Sequence, residues 1–167
     1  MPCKIQVILA ENHQFGNSEP TNVSDENRAA WQAKMEVFNN YKRKLDDIGG
    51  NLADKAAGNP IYQEAGMYIT DIAVILGLLK IVYTLNTNCL QTHLTIRDLY
   101  KQILSALSHT LNMIDYNKLK IDELYNKTKD TDAIRVIGEG KEILKNLQKT
   151  LNDEREGIFS KLRDIKQ

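Results

Sequence analysis

Residues 67–85, with the sequence MYITDIAVILGLLKIVYTL, decide the fold, because apolar residues surround the whole circumference of the helix they would form. Such a helix is either the inner helix of a bundle or a segment that enters a membrane. Asp71 and Lys80 lie on opposite faces, and the apolar belt between them, residues 72–79, spans only about 12 Å. A membrane crossing needs about 20 apolar residues. The stretch is therefore predicted to be the central helix of a bundle, and membrane insertion is the alternative.

The composition is that of an ordinary folded domain, and the balanced charges produce no strong electrostatic field around it. The chain has 167 residues, enough for a real core, and its hydrophobic content of 42% argues against disorder. Basic and acidic residues both number 22, so no net charge attracts nucleic acid or anionic lipid. Only three prolines occur, which favours long helices. No nucleic-acid partner is expected, and a membrane is possible but not favoured.

Capping residues and apolar spacing predict an all-α protein. Ser24, Asn59 and Thr95 suit N-cap positions, and Gly49-Gly50 is expected to end the first helix. Short connections make consecutive helices antiparallel neighbours. The sequence thus predicts a four-helix, mostly antiparallel bundle in one domain, residues 25–167, preceded by an arm, residues 1–24. The predicted helices cover residues 25–48, 60–85, 95–129 and 132–166.

The third and fourth predicted helices form a long C-terminal helical hairpin with heptad spacing typical of a coiled coil. On the predicted lengths, its tip would project about 15 Å beyond the other two helices. Ile121, Tyr125 and Ile134 lie close to that tip. Either a partner covers them or the helices pack askew, so these three residues are candidate interaction residues.

The N-terminal residues alternate in the manner of a β-strand. Cys3, Ile5, Val7 and Leu9 share one face of such a strand. A lone strand has no hydrogen-bonding partner of its own. It is expected to add to a sheet edge of another subunit by β-augmentation, or to pack on its own bundle, or not to form a strand at all. Ile5, Val7 and Leu9 are the candidate interaction residues of this segment.

The residues that carry most enzyme chemistry do not form recognisable motifs. His13, His93 and His109 have no metal-ligating residue at helical spacing, apart from Cys89 four residues before His93. Gly138-Glu139-Gly140-Lys141 lacks the spacing of a phosphate loop and is expected to mark a helix kink or a close helix crossing. No cofactor, no metal site and no catalytic residue is predicted.

Two cysteines, Cys3 and Cys89, allow one bridge, although two free thiols in a reducing compartment are the favoured interpretation. Gln6 interrupts the first apolar run, so no secretory signal is recognised, and the cytoplasm or a larger particle is the expected location.

The predicted function is that of a non-enzymatic protein–protein interaction or structural subunit of a larger assembly, such as a secretion apparatus, a virus or phage particle, or an adaptor. A protein partner or a homo-oligomer is expected. The alternative is a membrane-active helical protein that inserts residues 67–85. Folds of this kind host many activities, so the fold alone does not decide between them.

Overall fold

The computed structural model describes residue 20, residues 23–90 and residues 95–165. Within these ranges the chain forms four α-helices and no strand. The prediction of an all-α protein is confirmed, whereas the proposed N-terminal strand lies outside the described residues. The helices are α1, Asp25–Asp54; α2, Pro60–Asn88; α3, Ile96–Lys127; and α4, Thr131–Asp164.

The helices pack into a four-helix bundle in which each helix contacts the next one along the chain and α4 returns to α1. Between α1 and α2, the Trp31 indole donates a hydrogen bond to Thr84 Oγ1 at 2.9 Å. Between α2 and α3, Asn117 Nδ2 donates to the Tyr68 carbonyl at 2.9 Å. The fourth side of the bundle is joined where Tyr41 of α1 meets Thr150 of α4, with 2.8 Å between their hydroxyl oxygens.

Each helix begins at a residue whose side chain satisfies a free backbone N–H, as the sequence predicts for the first three. Ser24 Oγ accepts from Asn27 N, and Thr95 Oγ1 accepts from Asp98 N, both at 3.1 Å. Asn59 caps α2 directly before Pro60, whose missing N–H costs nothing at the first helical position. These local signals fix the helix starts without help from the rest of the fold.

The predicted end of the first helix at Gly49-Gly50 is wrong, because α1 continues to Asp54. Gly49 is buried where α1 crosses α2, and a Cβ at this position would collide with Thr70 Oγ1. A Cβ at Gly66 would lie only 3.3 Å from the Gly49 carbonyl oxygen. The two glycines therefore let the two backbones approach each other, which is a packing role and not a stop signal.

The predicted projection of the hairpin tip is also not what the structure has, although α3 and α4 do form a long packed helical pair. The four helices contain 30, 29, 32 and 34 residues, so α1 and α2 are nearly as long as α3 and α4. The extra length comes from the continuation of α1 past its glycines and of α2 to Asn88. A hairpin of this length has no free overhang that needs a partner.

The helix α2 is the core helix, but its enclosed part differs from the predicted belt. Val74 and Leu78, inside residues 72–79, are exposed, whereas every residue from 79 to 85 is buried. By length and composition α2 could cross a membrane, yet 56% of its most apolar stretch is buried inside the bundle. Core helices of folded bundles pass the same test, so the prediction of a core helix agrees with its packing.

The packing role of Gly49 at the crossing of α1 and α2 can be tested by substituting it and its neighbour Gly50 in turn. We expect Gly49→Val to lower the free energy of unfolding by about 1–3 kcal/mol, because the new side chain overpacks the crossing. Gly50→Val is the control, since a Cβ at Gly50 meets nothing within 4 Å. Urea unfolding followed by circular dichroism measures both. Equal losses for the two variants would contradict the packing role of Gly49.

Candidate interaction surface

The helix α2 carries a second line of apolar residues opposite its core-facing side. Its inner seam consists of buried residues at heptad spacing: Tyr62, Ala65, Ile69, Ile72, Leu76, Leu79 and Tyr83. The opposite line has the same spacing and carries one charge. We call it the outer seam, and it consists of Met67, Asp71, Val74, Leu78, Ile81 and Leu85.

The outer seam divides into two halves that differ in exposure. Met67, Val74 and Leu78 are 50%, 57% and 47% exposed. Ile81 and Leu85, which continue the same line toward the end of α2, are 5% and 3% exposed. Contiguous apolar patches on a surface mark interaction sites, whereas singly exposed apolar residues need no explanation. We call the first three residues, with Asp71, the exposed half, and Ile81 with Leu85 the covered half.

A shallow groove adjoins the exposed half where α1 and α2 cross. Small residues of both helices form its floor, and Met67 and Asp71 stand at its edge. The close approach at Gly49 and Gly66 keeps bulky side chains out of this floor. The residues that line the groove are Gly49, Ala53, Ala56, Gln63, Gly66, Met67, Thr70 and Asp71.

The structure places the three predicted tip residues inside or against the bundle itself. Ile121 is fully buried, and Tyr125 and Ile134 are half-buried. The Lys141 ammonium lies 4.0 Å from the centroid of the Tyr125 ring. Ile121 belongs to the hydrophobic core of the bundle, so it is covered without a partner. Ile5, Val7 and Leu9 lie outside the described residues.

Polar contacts tie the start of α4 to the neighbouring helices at this end. The Tyr62 hydroxyl donates to Asp130 Oδ2 at 2.6 Å, and Lys55 forms an ion pair with Asp132. The hydrogen bond to Asp130 is the main reason that the pKa of Tyr62 rises to about 12. The same bond holds the pKa of Asp130 below its ordinary value, and the Lys55 contact does this for Asp132. The junction is a structural clamp.

Some polar side chains inside the bundle also bond across helix interfaces. Tyr83 donates its hydroxyl to Glu154 Oε1 at 3.0 Å, and Glu154 also pairs with Lys34. Lys80 is buried, and its pKa is lowered first by burial and then by the nearby charge of Lys42. The contacts of Glu154 with Tyr83 and Lys34 join three helices, so these side chains position helices.

In the part of the chain that the structure describes, we see no group of side chains suited to metal binding or nucleophilic catalysis. There, no group of three or more His, Cys, Asp or Glu side chains could hold a metal ion. His109 is exposed on α3, and His13 and His93 lie outside the described residues. Cys89 is disulfide-bonded, so the favoured prediction of two free thiols is wrong at this position, while Cys3 is not among the described residues.

One glycine of the superficial phosphate-loop string, Gly140, has a packing role. Gly140 is buried, and a Cβ there would lie 2.7 Å from Ile69 Cδ1 and 3.3 Å from Ile48 Cγ2. The helix α4 continues through both glycines without a break. Of the two predicted explanations, the close helix crossing agrees with these distances.

Comparison with known proteins gives no relative: no family model, no curated protein and no solved structure matches the chain. What the protein does must therefore be inferred from the arrangement of its own side chains. The outer seam is the feature that sequence reasoning missed. The sequence pattern did contain it: residues 67–85 are apolar all round because two lines of apolar residues with heptad spacing lie on opposite faces of the helix.

The clamp at Tyr62 predicts a pH dependence above pH 10. The pKa of Tyr62 is raised from 10.0 to about 12 in the folded chain, so the unfolded chain loses this proton first. The stability that the contact contributes is present below pH 10 and is lost as the pH rises toward 12. We expect Tyr62→Phe to flatten this part of the stability curve.

Thermal unfolding at pH 9, 10 and 11 measures this effect, with Tyr116→Phe as the control because Tyr116 is exposed on α3. Tyr83 leaves a residual slope in both variants, since burial raises its pKa as well. Identical slopes for wild type and Tyr62→Phe would contradict the clamp.

Proposed function

We propose that this chain is a non-enzymatic interaction or structural subunit of a larger assembly, and that the exposed half of the outer seam is its contact surface. The observation that carries the proposal is the line of half-exposed Met67, Val74 and Leu78 on the core helix. Apolar side chains aligned along one helix, beside a shallow groove, fit a partner helix that lays its own apolar face against them. A second copy of the chain or another helical protein would supply that face.

The polar groups of the bundle support an interaction role over catalysis. Two of the described buried polar side chains, Asn117 and Tyr83, bond across helix interfaces. An enzyme would bring titratable groups together in a concave site with a reacting position between them. The groove beside Met67 is floored by small side chains and has one carboxylate, Asp71, at its edge. This lining suits the packing of another helix.

We further propose that the four helices run mostly antiparallel, as the sequence suggested. The start of α1 is bonded to the end of α2 through Trp31 and Thr84. The end of α2 meets the start of α3, where Asn86 Nδ2 donates to the Leu99 carbonyl at 3.0 Å. The end of α1 meets the start of α4 through the ion pair of Lys55 with Asp132. Contacts between opposite ends of neighbouring helices support an up-down-up-down order.

The disulfide at Cys89 also changes the location that we propose. Disulfides persist in oxidising surroundings and are rare where thiols are kept reduced. We therefore propose that the protein works in an oxidising compartment or as part of an extracellular particle, in place of the cytoplasm. This agrees with a structural subunit of a secreted or particulate assembly.

A charge on the outer seam tests the contact surface directly. We expect Val74→Asp to abolish the assembly, because a buried unpaired carboxylate is costly at an apolar interface. Size-exclusion chromatography with light scattering, on protein purified from its native source, measures the mass. Leu119→Asp is the control, since Leu119 is exposed to the same degree on α3, away from the seam.

The wild type and Leu119→Asp should elute as the same complex, and Val74→Asp as a single chain with unchanged helix content. A strictly monomeric wild type without a partner would contradict the proposal. If this monomer instead floats with liposomes, the second candidate, a membrane-active protein, is favoured, because α2 has the length and hydropathy of a spanning helix.

A further inference from the structure

We propose that the partner on the exposed half of the outer seam is a second copy of this chain, bound with Val74 against Val74 and with Asp71 of each copy paired to Lys42 of the other. The proposal rests on the proposed function, because it names the partner of the contact surface described there. It narrows that function to a homodimer in which both copies use the same face. In such a dimer each contact between two different residues forms twice.

The position of Val74 on α2 gives the geometry of the dimer. Val74 has the most exposed apolar side chain of the exposed half, at 57%. Asp71 lies three residues before it and Gly77 three residues after it. A helix rises 1.5 Å and turns about 100° with each residue, so the two positions lie about 4.5 Å before and after Val74 and about 60° to either side of it. Asp71 and Gly77 are therefore placed symmetrically about Val74.

The two positions carry opposite charges. Asp71 is exposed, and among the described residues no basic group forms an ion pair with it. On the other side of Val74, Lys42 of α1 lies against Gly77, with its Cε 3.7 Å from the place that a Cβ would take. Burial lowers the pKa of Lys80, one turn later, and the charge of Lys42 lowers it further. A carboxylate bound beside Gly77 would relieve this repulsion between the two ammonium groups.

Lys42 can accept such a carboxylate although it already has one neighbour of opposite charge. It forms an ion pair with Asp46, four residues later on the same helix, at 3.1 Å. Exposed pairs of this spacing are weak, and an ammonium group has three donors. The second copy's Asp71 can therefore bind Lys42 without displacing Asp46.

The face around Val74 is complementary to itself. A twofold axis that passes through Val74 in the plane of the contact, perpendicular to the line from Asp71 to Gly77, exchanges these two positions between the copies. Each Asp71 then meets the Lys42 that lies beside the second copy's Gly77, and the two α2 helices cross at Val74. Opposite charges on the two sides of the crossing favour this orientation, because like charges brought together would repel. Such self-complementarity is what a dimer with twofold symmetry requires.

Charge reversal tests the pairing in the chain purified alone, without other proteins. Asp71→Lys puts lysine against Lys42, and Lys42→Glu puts glutamate against Asp71. We expect each variant by itself to raise the Kd of the dimer at least about tenfold at low ionic strength, because both pairs become repulsive. An equimolar mixture of the two variants should form a dimer about as tight as wild type, because both pairs in this heterodimer are again attractive. Sedimentation velocity measures the Kd values.

Arg43→Glu is the matched control for the variant at Lys42. It makes the same change in charge at an exposed residue one position later on α1, and consecutive helical residues do not share a face. We expect it to change the Kd less than about twofold. Circular dichroism should show the same helix content in all the variants, and a dimer in the mixture shows by itself that both variants are folded.

The outcomes separate this proposal from the proposed function. A dimer that both single variants leave intact, or a mixture that stays monomeric, would overturn the pairing of Asp71 with Lys42. A wild-type chain that is monomeric when purified alone would overturn the homodimer. If the chain from its native source is then still part of a complex that Val74→Asp dissociates, the proposed function stands and the partner is a different protein.

Discussion

The structure depends on one constraint: α2 is apolar on two opposite sides, and a helix in a four-helix bundle can turn only one side to the core. The inner seam, centred on Leu76, fills the interior and is almost completely buried. The outer seam is left in water at Met67, Val74 and Leu78, whereas Ile81 and Leu85, near the end of α2, belong to the buried hydrophobic cluster of the bundle. The surface features that we connect with function follow from this division.

The remaining contacts hold the bundle in the arrangement that places the outer seam at the surface. The glycine crossing at Gly49 and Gly66 brings α1 close to one flank of α2. The bond from Asn117 to the Tyr68 carbonyl fixes α3 against the other flank. An unsatisfied buried amide would cost about 1–3 kcal/mol, so Asn117 favours this register of the two helices over others. With both flanks fixed, rotation of α2 about its axis is prevented.

Local sequence signals predicted the helix starts and the all-α class, because capping is a matter of a few adjacent residues. Ser24, Asn59 and Thr95 act within their own first turns. The same kind of reasoning failed at Gly49, where the glycine serves a contact with a helix some twenty residues later. It also failed at Ile121, which the bundle buries although the sequence placed it near a projecting tip. The disulfide at Cys89 depends on tertiary proximity, which spacing in the sequence cannot supply. The outer seam was visible as excess hydrophobicity, and the packing was needed to show which side of α2 faces outward.

The most direct test of the two-seam account compares two positions that are two residues apart on α2 and face opposite sides. Leu76→Ala removes a fully buried inner-seam side chain and should lower the free energy of unfolding by about 2–5 kcal/mol. Val74→Ala, on the exposed half of the outer seam, should change it by less than about 0.5 kcal/mol. Equilibrium urea unfolding of the isolated chain measures both. Comparable losses at the two positions, or a larger loss at Val74, would contradict the account.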